Sequence, residues 1–151
     1  MTTSAQPWVP RSPFERLENC VFLGRVIDKA RRHVSGLPIG EYMYGDNDYM
    51  DSRVFKVLNC KASEVDALVR AEPSDAVVAR TLVERSGRSP GQIAAFSTKM
   101  VLIYGPVFFM FDADEGRKTG PIAAGLSAFY NRVMYPPFAE KFRKDEDAVG
   151  R

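Results

Sequence analysis

The sequence predicts a mainly α-helical protein, all-α in class, folded as a single compact domain of about six to eight short helices. Three observations predict it. Apolar residues recur at steps of three and four over much of the chain. Serine and proline pairs of the kind that open helices introduce two of these stretches. Strand-like alternation is weak and confined to Glu41–Tyr44, next to a glycine-containing turn. At 151 residues, 45% hydrophobic and 26% charged, the chain is long enough to bury one real core.

The first helix is expected at "SPFE", where Ser12 reads as an N-cap, Pro13 as the first helical residue and Glu15 as the partner of a capping box. Leu17, Cys20, Val21, Gly24, Ile27, Ala30 and Val34 then form one apolar stripe. The helix is expected to run to about His33, with Gly36 closing it and Asp28, Lys29 and Arg32 lying off the stripe. Two short helices follow, Ser52–Leu58 capped by Asp51 and Ser63–Ala71 capped by Ser63. Ser74–Gly87 makes the next, with Val77, Val78, Thr81 and Leu82 inward. "SPGQ" at Ser89 opens a helix carrying Ile93, Phe96, Met100 and Ile103 on one side, and Gly105–Pro106 is expected to break or kink it. The remainder reads as a helix over Ile122–Tyr135, a break at Pro136–Pro137 and a short amphipathic helix. Residues 1–118 are thus read as a helical core, and 119–151 as a helical extension packed on the same domain.

Composition narrows the function classes. A net charge of +2 is too small to point to nucleic acid or an acidic membrane, and the one basic cluster, Lys29, Arg31, Arg32 and His33, suits a helix C-terminus. Cys20 and Cys60 lie far apart and His33 is the sole histidine, so a four-ligand zinc site is not expected. No signal-type apolar segment is read at the N-terminus, and "MVLIYGPVFFMF" is too interrupted to span a bilayer. A cytoplasmic location with reduced cysteines is the expectation.

The densest chemistry is "GEYMYGDNDYMDSR", Gly40–Arg53. A calcium loop beginning at Asp46 would require glycine and glutamate where Asp51 and Val57 stand. A looser divalent site on Asp46, Asp48 and Asp51 competes with plain capping and solvation, and no resident metal is expected. Phosphate loops, dinucleotide fingerprints and nucleophile elbows are absent, so no cofactor is expected. Acid and base chemistry by side chains remains. Tyr42 and Tyr44, two apart, share a side of an extended segment. Against this, both tyrosines suit a core edge, ring in and hydroxyl out, and Asp51 suits a helix cap.

Several pieces in order, "RSPFERL" at Arg11, "RVIDKAR" at Arg25, "GEYMYG" at Gly40, "DSRVF" at Asp51, "RSPGQIAAF" at Arg88 and "DADEGR" at Asp112, resemble a family of small, mostly bacterial proteins known as domain of unknown function family 5069. The resemblance covers about residues 10–118. It implies a helical single domain and no activity. It directs attention to Asp28, Lys29, Arg31, Tyr42, Tyr44, Asp51, Arg53, Asp114, Glu115 and Arg117, as a converging pocket or as a salt-bridge network tying helices together. "GDNDYM" looks like an insertion relative to the family, and residues 119–151 like an extension.

Two functions follow as expectations. The leading one is a small cofactor-independent enzyme of isomerase, cyclase or lyase type working on a small metabolite. Tyr42 and Tyr44 would donate protons, Asp48 or Asp51 would act as base, and Lys29, Arg32, Arg53 and Arg117 would hold an anionic group. The other is a non-catalytic helical module that binds a ligand or a protein, with a homodimer suggested by its Met- and aromatic-rich segments.

Overall fold

The computed structural model describes residues 7–117 without a gap, together with positions 120, 121, 125, 129 and 132. Among these residues it is mainly α-helical. A two-residue hairpin, β1 (Arg16–Leu17) and β2 (Cys20–Val21), precedes helices α1 (Leu23–Val34), α2 (Tyr49–Val57), α3 (Ala62–Ala71), α4 (Asp75–Ser86) and α5 (Pro90–Asp114). Five helices stand among the described residues, against six to eight expected for the whole chain. The helix and break expected after Ile122 lie almost wholly outside the described residues.

The chain divides into two compact units, 1–102 and 103–151, with α5 crossing the boundary. In the first unit α1 packs on α3 and α4, which also meet each other. Its core is built from Phe22, Leu23, Val26 and Ile27 at the head of α1, Val54 and Leu58, Val65, Val78, Leu82 and Ile93, all at most 2% exposed.

The "SPFE" stretch does not start a helix. Ser12 makes a turn, accepting the Glu15 amide on its carbonyl and the Phe14 amide on its hydroxyl. The chain then folds into the antiparallel pair Arg16 to Val21 and Leu17 to Cys20. Glu18 and Asn19, at φ 49° and 61°, supply the left-handed turn that joins two strands across a two-residue loop. Ser97 of α5, fully buried, fastens this hairpin by donating to the Asn19 carbonyl at 2.6 Å and accepting from the Val21 amide at 2.9 Å. Serine turn chemistry serves helix caps and β-turns alike, and here the long-range anchor decides between them. Helix α1 therefore begins ten residues later than "SPFE" suggests, at Leu23.

Other ends match the caps read from sequence. Gly36, at φ +67°, closes α1 in a Schellman motif: its own amide donates to His33 and that of Leu37 to Arg32. Ser74 caps α4, which Gly87 ends at φ 70°. Ser89 and Gln92 cap α5 reciprocally, at 2.9 and 3.1 Å. On α3 the cap position is Lys61, whose amide is held by Glu64, so Ser63 lies inside the helix. Val77 and Ile103 are exposed, not inward, at 39% and 53%.

Gly105–Pro106 does not end α5, which continues to Asp114. Pro106 withholds the amide that Leu102 would otherwise receive four residues back, and the two compact units divide at that residue. Among the described residues, α5 is the one helix long and apolar enough to cross a membrane by length and composition alone, a test that core helices of soluble proteins also pass.

Candidate functional site

The segment between α1 and α2, residues 35–48, lies along one face of α1. That face carries Arg25, Lys29, Arg32 and His33, a spacing of four, three and one that sets all four side chains on adjoining turns. Two of them are buried although α1's apolar stripe runs elsewhere: Arg25 is 2% and Lys29 3% exposed. The expectation that Lys29 sits off the buried face is thus corrected. It is buried because it has a partner.

That partner is Asp51. The Lys29 Nζ lies 2.5 Å from Asp51 Oδ1, with side chains 4% and 0% exposed. The ammonium also donates to the Met43 carbonyl at 2.9 Å and lies 5.5 Å from the centre of the Phe22 ring. The other carboxylate oxygen receives the Gly45 amide at 3.4 Å. Burial pushes the Asp51 carboxyl up to about 6, against the opposing pull of Lys29; Asp48 adds to the rise. Asp51 does not cap α2. Asp48 does, accepting the amides of Met50 and Asp51 at 3.2 and 2.9 Å. Three residues into the helix, Asp51 faces inward and α1 receives it.

The two tyrosines are half-buried while Glu41 and Met43 between and beside them are exposed, the alternation of an extended segment. They meet different partners. Tyr42 lies under the Arg25 guanidinium at 5.1 Å and edge-on to Trp8 at 5.8 Å. Arg32 stacks on the other aromatic, 4.7 Å from the Trp8 ring centre, while its Nε donates to the Pro38 carbonyl at 2.8 Å. Tyr44 donates to Asp66 at 2.9 Å and packs beside His33 and Phe55, with ring centres at 5.3 and 6.3 Å. His33 Nδ1 is 3.2 Å from the other Asp66 oxygen. Burial, then the bond to Asp66, holds the Tyr44 phenol well above its ordinary range, so it keeps its proton at any physiological pH and acts as a hydrogen-bond donor.

The remaining predicted residues have partners of their own. Arg53 stacks on Tyr49 one turn back along α2, at 4.3 Å. Arg117 belongs to the second unit, where it pairs with Asp112 and Glu115. The three acids considered for a divalent ion diverge: Asp46 accepts the Ala62 amide at 2.8 Å, Asp48 caps α2 and Asp51 takes Lys29. No group of three potential metal ligands occurs among the described residues.

A second ion network includes Asp28 and Arg31, two residues the family resemblance points to as a pocket or a salt-bridge network, together with Arg11 and Asp75, which the sequence did not single out. Arg11 pairs with Asp28 at 2.8 Å and with Asp75, and Arg31 reaches Asp75 at 2.5 Å while donating to the Val69 and Glu72 carbonyls. Arg31 is therefore no solvated helix-end cation; it clamps α1 to α3 and α4. Trp8, Arg25 and Asp66 were likewise not singled out from sequence, because each draws its meaning from partners outside its own stretch of chain: Trp8 from Arg32 and Tyr42, Arg25 from Arg11 and Tyr42, Asp66 from His33 and Tyr44. The one available signal was Arg25, a charge inside an apolar run at "GRVI".

Residues 8–106 match the family described as Domain of unknown function (DUF5069). The chain belongs to this family. The matched span contains the Lys29–Asp51 pair, both tyrosines and the Arg11–Arg31 network; "DADEGR" falls beyond its end. No curated protein and no solved structure matches the chain.

Proposed function

We propose that this protein is a non-catalytic helical interaction module that pairs with another protein, a second copy of itself in the first instance, through the corner formed by Trp8, Tyr42 and Arg32. One observation carries this: the groups suited to acid–base chemistry are bonded inside the fold, whereas apolar side chains beside them are exposed around a half-buried aromatic stack. Asp51 and Lys29 spend their polar atoms on each other and on backbone, and the Tyr44 hydroxyl donates its hydrogen bond to Asp66. Around the Arg32–Trp8–Tyr42 stack, Val9, Leu37 and Met43 are 37%, 51% and 55% exposed. Trp, Tyr, Met and Arg are the residues that protein interfaces favour. Light scattering on the full chain tests the proposal: association should appear as concentration rises, and Leu37→Asp with Met43→Asp should abolish it while the helical circular dichroism stays unchanged. A chain that stays monomeric at about 1 mM removes self-association.

A cofactor-independent acid–base enzyme is the alternative, favoured by Asp51, whose carboxyl titrates at about 6 beside a lysine and near a protonated tyrosine. In that case turnover of a small anionic metabolite, assayed across a panel, is lost in Asp51→Asn and kept in Met43→Asp. Activity that survives Asp51→Asn sinks it.

A further inference from the structure

We propose that residues 40–45 are a strap, latched at its middle by the buried Lys29–Asp51 pair and able to swing on Gly40 and Gly45. Both latch bonds go to the strap's main chain: the ammonium to the Met43 carbonyl at 2.9 Å, the carboxylate to the Gly45 amide at 3.4 Å. Its two ends are glycines at φ +65° and +134°, and a Cβ at either would meet nothing within 4 Å. These glycines answer a backbone need and not a close approach, which is what a pivot requires. Tyr42 on Arg25 and Tyr44 on Asp66 hold the strap by its side chains as well. This inference does not depend on what the surface binds.

The latch responds to pH through Asp51. Lys29 from α1, Asp48 from the head of α2 and Tyr44 from the strap act on or with its charge, and Asp66, Asp46 and His33 meet Tyr44 from the other side. Under the closed strap the carboxyl titrates at about 6, and a hydrated carboxyl in the open state titrates near 4. The closed state therefore binds a proton that the open state releases, and raising the pH through this window favours opening.

Hydrogen exchange on the full chain, corrected for the intrinsic rate at each pH, reads this directly. The Gly45 amide should lose protection, relative to amides at the centre of α1, by roughly 20-fold between pH 4.5 and 7. In the Lys29→Met, Asp51→Leu double variant, which leaves no lone buried charge, strap protection should be low and independent of pH while α1 keeps its own. The strap is overturned if Gly45 exchanges in step with α1 at every pH, or if the double variant keeps the wild-type pH profile.

Discussion

Two ion networks fasten α1 to its surroundings, and they differ in water. The Lys29–Asp51 pair is dry, at 4% and 0% exposure, whereas Arg11, Asp28, Arg31 and Asp75 are 21–30% exposed. Each links segments distant in sequence. In the dry pair both charges have been stripped of solvent, so each depends almost entirely on the other. In the wet network water remains a partner, so any one charge is replaceable. The same element is thus held on one side by an all-or-none contact and on the other by a graded one.

The largest expected effect breaks the dry pair. Asp51→Ala should cost about 3–5 kcal/mol by leaving the buried Lys29 ammonium with no carboxyl oxygen to donate to, charged or neutral, measured as a fall in denaturant midpoint, and the Lys29→Met, Asp51→Leu double variant should recover most of it. Next comes pH. Because the folded Asp51 carboxyl is raised to about 6, its contribution is fully present below about pH 4 and is lost as pH rises through about 6, by at most roughly 3 kcal/mol. The difference in stability between wild type and the double variant, followed from pH 4 to 7, isolates that slope.

Smaller effects belong to the wet side. Asp75→Asn removes one carboxylate from two arginines and should cost about 1–2 kcal/mol, less in 1 M salt; the Asp51→Ala loss should be insensitive to the same salt. A loss at Asp75 that salt does not reduce would erase the distinction between the networks. Smallest is Tyr44→Phe, which deletes the bond to Asp66 at an expected 0.5–1.5 kcal/mol, roughly, in the same unfolding assay.

The helical class was legible because helix signals are local. Ser74 with Gly87 and Ser89 with Gln92 act within a few residues of their own helices, and their side chains satisfy amides that any helix start leaves open. The same locality misled at Ser12, whose turn chemistry fits a helix or a β-turn equally until Ser97, 78 residues from Asn19, pins the hairpin. At the candidate site the sequence singled out Lys29, Tyr42, Tyr44 and Asp51, and left Asp51 open between a base, a member of a salt-bridge network and a helix cap, the last a duty that Asp48 performs. Arg53 stacks on Tyr49, and Arg117 pairs with Asp112 and Glu115, neighbours already close in the chain.

By itself, then, the amino-acid sequence determined a mainly helical protein, its family, several helix ends and the segment where polar chemistry concentrates. Only the tertiary structure decided what that chemistry does. Whether Asp51 is a solvated cap or a buried counter-ion depends on a lysine 22 positions away. Burial of charge is a property of the surroundings in space, and no local pattern encodes the removal of water from it.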